Sequence, residues 1–98
     1  MIRKKLYQVI HYKRGDKYLL DYDFIFKKGV LFISLFGDIN KNTSSLFKDE
    51  INPLILDNGI KNVVLNFSNL KSVDFDGIEA LYKSCLILNK ESNISITI

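Results

Sequence analysis

Three carboxylates fall within six residues in the segment Asp74-Phe75-Asp76-Gly77-Ile78-Glu79. Such a group is the raw material of a divalent-metal site, or of a paired general acid and base. A metal would need further ligands, and the sequence offers no second ligand cluster. No basic neighbour stands ready to position a substrate. The same residues also suit a helix start. Asp76 as N-cap with Glu79 three residues on matches a capping box, and both carboxylates gain from the helix N-terminus. A cap, an interaction surface and a catalytic pair are therefore all open, and capping makes the fewest demands.

The remaining chemistry is thin. His11 is the only histidine, so a nucleophile–histidine pair or a multi-histidine metal site would have to be built around one strand residue. Cys85, the only cysteine, falls on the apolar face of a predicted helix and reads as a buried structural thiol. Neither GxGxxG nor GxxxxGK occurs, so no glycine loop cradles a phosphate. The pattern calls for no metal and no cofactor, and the expectation is a protein that is not an enzyme.

Charge is uneven along the chain. Residues 1–28 carry eight Lys/Arg against three Asp, a balance of +5, whereas residues 29–98 carry six Lys against eight Asp/Glu, or −2. With Tyr7, Tyr12 and Tyr18 set among the basic residues, nucleic-acid binding by the N-terminal hairpin is one reading. Lysines that guard a sheet edge are the simpler one.

With 98 residues the chain has room for one domain. A composition 47% hydrophobic and 26% charged excludes a disordered or low-complexity chain. One cysteine excludes an internal disulfide. No apolar run approaches the ~20 residues of a membrane span, and no secretory leader pattern follows Met1. A cytoplasmic domain is expected.

The elements that must position the acidic segment can be read from periodicity. Leu6 to Tyr12 reads as a strand, with a turn at Lys13-Arg14-Gly15-Asp16. Tyr18 to Phe26 alternates apolar residues with Asp21 and Asp23, predicting a half-buried strand. After a turn at Lys27-Lys28-Gly29, Val30 to Phe36 is almost continuously apolar, as in a strand covered on both faces. Asn42 and Thr43 are candidate N-caps for a helix whose apolar face is Leu46, Phe47, Ile51, Leu54 and Ile55. Pro53 predicts a kink or break near Asn52, and Asn58 or Gly59 supplies the C-cap. Val63 to Phe67 is a short buried strand, parallel to residues 30–36 because a helix joins them. A loop at Ser68–Ser72 leads to a second helix, with Ile78, Leu81, Tyr82, Cys85, Leu86 and Leu88 on its apolar side. Ile94 to Ile98 closes the chain as a strand. The order β-β-β-α-β-α-β is an α/β fold on a mixed sheet.

These segments resemble STAS domains, the fold of the anti-sigma factor antagonists. Val30 to Ile39 is similar to the family's strand ending in glycine, acidic, aliphatic, and Asn42-Thr43 to the polar-threonine helix start after it. Asn62 to Leu70 followed by Val73-Asp74-Phe75-Asp76-Gly77-Ile78 resembles the family's strand, loop and Asp-Ser-Ser-Gly-Leu segment. The resemblance runs through residues 29–98, leaving 1–28 as a β-hairpin extension continuous with the domain.

The resemblance implies a regulatory protein-binding module. Its surface would comprise Asp74, Phe75, Asp76, Gly77, Ile78 and Glu79 with Asp38, Asn40, Lys41 and Thr43. The implied partner is an anti-sigma factor with a serine-kinase-like ATPase fold. Two relatives share the fold: a stressosome-type scaffold and the small STAS subunit of a lipid ABC transporter. Asp76 occupies the position of the family's phosphorylatable serine, and Phe75 replaces a small polar residue. A carboxylate accepts no phosphoryl group from a serine kinase, and its charge of about −1 falls short of the ~−1.5 to −2 of phosphoserine. Asp76 therefore either imitates the released state or caps a permanently competent one. The family's C-terminal helix has no counterpart after Ile98. Either the chain is a fragment of a longer protein, or the sheet face that helix would cover is left to the hairpin, to a partner or to a second copy in a homodimer.

Overall fold

Alternation of Leu20, Tyr22 and Phe24 with Asp21, Asp23 and Ile25 builds the first strand of the computed structural model, which describes residues 20–98. This strand, β1 (Leu20–Lys27), turns through Lys28 and Gly29 into β2 (Val30–Ile39). Both turn residues have positive φ, 51° and 81°, as the right-handed twist of a two-residue hairpin requires. The strand predicted at residues 6–12, its turn and His11 lie outside the described residues.

The sheet order is β1-β2-β3-β5, antiparallel between β1 and β2 and parallel thereafter, with β3 at Asn62–Asn66 and β5 at Asn93–Thr97. The mixed α/β sheet and the parallel β3 match expectation. The segment predicted as the loop Ser68–Ser72 instead contains a short strand, β4 (Leu70–Val73), which pairs with the far end of β2. The described residues thus run β-β-α-β-β-α-β.

Leu31, Ile33 and Leu35 of β2 face inward with Val63 and Leu65 of β3, against Leu46, Phe47, Ile51 and Ile55 from the first helical segment and Leu81 and Leu88 from the second. The other face of β2 is more open than its apolar run suggested. Phe32 and Phe36 are 42% and 36% exposed, so among the described residues no layer fully covers them. Parallel central strands usually carry helices on both faces, and here the described helices pack on one.

Pro53 shapes the first helical segment. A regular helix would set its ring against the carbonyl of Asp49. The chain instead widens into a π-turn over Phe47–Ile51, closed by the Asn52 amide donating to the Phe47 carbonyl, and α1 (Asn52–Asp57) follows. Such turns are a recognised source of helix irregularity. The end of α1 is as predicted: Gly59 has φ of 61°, the Gly59 amide donates to Leu56 O and the Ile60 amide to Ile55 O. That bond pair is a Schellman cap, with Ile60 buried beneath it.

Tyr22 crosses from β1 to this segment. It is buried, and its hydroxyl donates to Glu50 Oε1 at 3.1 Å. Burial first, and then the Glu50 charge, push its ionisation well above the usual 10.0. The neutral phenol is therefore favoured in the folded state. Its contribution is complete below pH 10 and declines as pH rises beyond that, where the unfolded tyrosine ionises first. Stability should fall with a slope approaching 1.4 kcal/mol per pH unit from this residue. Tyr22→Phe should flatten that part of the curve, as read by urea denaturation at pH 9 to 11.

Candidate functional site

The site begins with a change of neighbour along β2. Its first five residues pair with β3, and from Gly37 onward it pairs with β4, with a register shift between Gly37 and Asp38. Gly37 takes φ of 106° there, a backbone conformation open mainly to glycine. The shift sends the end of β2 past β3 and toward the start of α2 (Phe75–Leu88).

Asp38 to Thr43 is then tied down from inside. The Thr43 hydroxyl donates to the Asp38 carbonyl at 2.7 Å and accepts from the Asn40 amide at 3.0 Å. Asn40 Oδ1 accepts from the Asn42 and Thr43 amides at 2.8 and 3.1 Å. Asn40 thus caps the turn at residues 41–44, whereas the helical segment that follows has no side-chain cap, so neither Asn42 nor Thr43 takes the N-cap role expected of it. Across the gap, the Ser72 hydroxyl donates to Asp38 Oδ1 at 2.6 Å.

Asp74 joins the two segments. Its amide donates to the Ile39 carbonyl at 3.0 Å, and its Oδ1 accepts from the Gly77 amide at 2.8 Å. It is therefore the N-cap of α2, with extended backbone as that position requires. This corrects the expected capping box. Asp76 lies within the first turn, where its charge still favours the helix N-terminus, and Glu79 is too far along to cap. Asp74→Ala should cost about 1 kcal/mol in chemical denaturation, whereas Asp76→Ala should cost less than half of that. Equal losses would put the cap elsewhere.

The two segments expected to form one surface do meet, but their residues divide. Phe75 is 77% exposed and Ile78 46%, and Asp74, Asp76, Glu79 and Lys41 are also exposed. Asp38 and Asn40 are half-buried. Thr43 and Gly77 are buried and hold the surface from within rather than forming part of it. Gly77 sits so close to β2 that a Cβ would lie 2.6 Å from the Ile39 carbonyl oxygen. The outcome is an apolar knob, Phe75 and Ile78, with the exposed carboxylates of Asp74, Asp76 and Glu79 close by in sequence.

Further along α2, the inward row is Gly77, Leu81, Ser84 and Leu88. Tyr82 and Leu86, expected on the buried side, are 62% and 50% exposed. Cys85 is half-buried, and burial pushes its thiol pKa up, which disfavours the reactive thiolate. Among the described residues no three His, Cys, Asp or Glu side chains are grouped to hold a metal ion, and no helix is long and apolar enough to cross a membrane.

The STAS domain family model matches residues 22–93, from within β1 to the start of β5. The chain belongs to the STAS domain family. Among solved structures, this STAS domain is similar to Mglu, with TM-score 0.60 and 18% identity over 74% of this chain. It spans only 18% of the length of that Mglu chain. A structure of Mglu in its native form gives TM-score 0.60 and 16% identity, over 76% of this chain and 22% of that one. The anti-sigma factor antagonist SpoIIAA in its unphosphorylated form gives TM-score 0.58 and 14% identity, over 93% of this chain and 71% of that one. At these identities the likeness is one of fold. No curated protein sequence matches the chain.

Proposed function

We propose that this STAS domain is a non-enzymatic regulatory module of the anti-sigma factor antagonist kind, docking a protein partner through the first turn of α2. The observation that carries the reading is Phe75, an aromatic side chain 77% exposed at a helix start. Asp74, Gly77 and the Ile39 carbonyl hold its backbone in place. A large apolar side chain on a rigid element, with Ile78 beside it and charges around it, has the anatomy of an interface anchor. Asp74, Asp76, Glu79 and Lys41 would form the rim, setting association rate more than affinity.

The likeness to SpoIIAA supports an anti-sigma factor as the partner class, with the serine-kinase-like ATPase fold that the family resemblance implies. Asp76 stands on the first turn of α2 without a hydroxyl, so phosphorylation cannot release the partner at this position. In this reading its charge belongs to the helix N-terminus and the module is constitutively competent in the cytoplasm.

Affinity capture from source-cell lysate tests this with wild type, Phe75→Asp and Asp76→Ser. Wild type should retain a kinase-fold ATPase whether or not ATP is added. Phe75→Asp should weaken retention at least ~30-fold, the loss of a hot-spot residue. Asp76→Ser should bind and then release the partner when ATP is added. Capture of an ABC transporter ATPase, or of nucleic acid without protein, would overturn the antagonist reading. So would full retention by Phe75→Asp.

A further inference from the structure

Phe75 and Ile78 are the first members of a longer row. Phe75, Ile78, Tyr82 and Leu86 recur at spacings of three and four along α2, with exposures of 77%, 46%, 62% and 50%. At about 100° per residue they form one continuous stripe. Gly77, Leu81, Ser84 and Leu88 form a second row that packs on the core. The core covers that inward row, and the described residues leave the outer stripe exposed.

The charges beside the stripe indicate what covers the other. Asp76 and Glu79 lie in the N-terminal half of α2, Lys83 lies in its C-terminal half, and Lys90 follows just beyond its end. The helical step puts Asp76, Glu79 and Lys83 on the same flank of the stripe. A second α2 laid antiparallel about a two-fold axis near Tyr82 brings Glu79 of one copy toward Lys83 of the other, twice over. Asp76 then lies toward Lys90 of the second copy. The helix dipoles also oppose favourably in that arrangement. A parallel two-fold pair would instead carry the two charged flanks to opposite sides of the seam, where Glu79 and Lys83 of the two copies do not meet. Isologous pairing of this kind needs one patch complementary to itself, and the stripe with its flank is such a patch.

We infer that the outer face of α2 pairs two copies of this chain in an antiparallel, two-fold dimer. The pairing needs no other protein and stands apart from the antagonist reading. A 14-residue helix presents a contact ~21 Å long, well under a standard interface. The dimer is therefore reversible, with a dissociation constant on the order of 10 µM. It covers Phe75 and Ile78, so a second copy and a partner docked there exclude one another.

Sedimentation equilibrium of the purified 98-residue chain, from about 1 to 500 µM to bracket that constant, provides the test. Wild type should pass from monomer to dimer with concentration. Tyr82→Asp sets two carboxylates together at the axis and should raise the dissociation constant at least ~30-fold. Glu79→Lys should raise it about tenfold, and Glu79→Lys with Lys83→Glu should restore it to within about threefold. All three positions are exposed, so far-ultraviolet circular dichroism should match wild type. The inference is overturned by a monomer at every concentration, by a dimer that Tyr82→Asp leaves intact, or by a double variant no tighter than Glu79→Lys.

Discussion

Gly77→Ala should destabilise the domain by about 2 kcal/mol, although alanine is the better helix former by about 1 kcal/mol. The new Cβ would lie 2.6 Å from the Ile39 carbonyl oxygen, and 2.7 Å from both its carbonyl carbon and its Cγ2. Overpacking against a fixed neighbour costs roughly 1–3 kcal/mol, and more where backbone must move. Retreat of α2 is opposed by the Asp74 amide, which is bonded to that same carbonyl at 3.0 Å. A double-mutant cycle separates backbone from side chain. Ile39→Ala removes the fully buried side chain and should itself cost about 3 kcal/mol. It leaves the carbonyl in place, so Gly77→Ala should retain more than half its cost in that background. Urea denaturation of the four proteins decides it. A cost that vanishes in the Ile39→Ala background would make the contact one of side chains alone.

Thr43→Val should cost a similar amount, about 2 kcal/mol, with almost no change in volume. Thr43 is fully buried, and its hydroxyl serves both the Asp38 carbonyl and the Asn40 amide. Valine would leave both backbone groups without that partner, at about 1–3 kcal/mol for a buried polar group left unpaired. Thr43→Ser keeps the hydroxyl and deletes one methyl, so its cost should stay near 0.8 kcal/mol. If serine and valine proved equal in denaturation, the hydroxyl would have no part in holding the loop. The valine variant should also weaken any partner that reads the Asp38–Lys41 segment, because that loop is fixed through Thr43.

Much of this framework is legible in the chain. The alternation in β1 gives its faces, Lys28-Gly29 gives the turn and Gly59 gives the helix end, because each depends on neighbours in sequence. Which aspartate caps α2 does not. Asp74 and Asp76 are equally good N-caps in isolation, and the choice falls to the Ile39 carbonyl, which holds the Asp74 amide from another strand. Strand β4 is hidden for a similar reason. Only Leu70 of its four residues is even half-buried, so no alternation marks it, and its pairing is fixed by the bulge at Gly37. The residues of the candidate site lie over thirty positions apart, and family resemblance rather than spacing is what joins them in the sequence. The division between anchor and support then comes from packing: Phe75 points out while Thr43 and Gly77 are enclosed. On α2 the apolar residues occupy more than half the circumference. Periodicity therefore shows that the helix is apolar, and only the sheet decides which row is buried.

The Lys28–Gly29 turn also bears on how the domain assembles in time. It closes the β1–β2 ladder across two residues, whereas Val30 meets Asn62, and Asn62 meets Asn93, only after intervals of some thirty residues. Among the described strands, loop-closure entropy makes the β1–β2 hairpin the least costly pairing to form, and each parallel pairing must wait for a helix to bring its strand back. The hairpin should thus form first and template the sheet, with β5 pairing only once β3, its neighbour among the described strands, is in place. A destabilised turn should therefore slow refolding of the whole domain, while damage to β5 should chiefly hasten its unfolding.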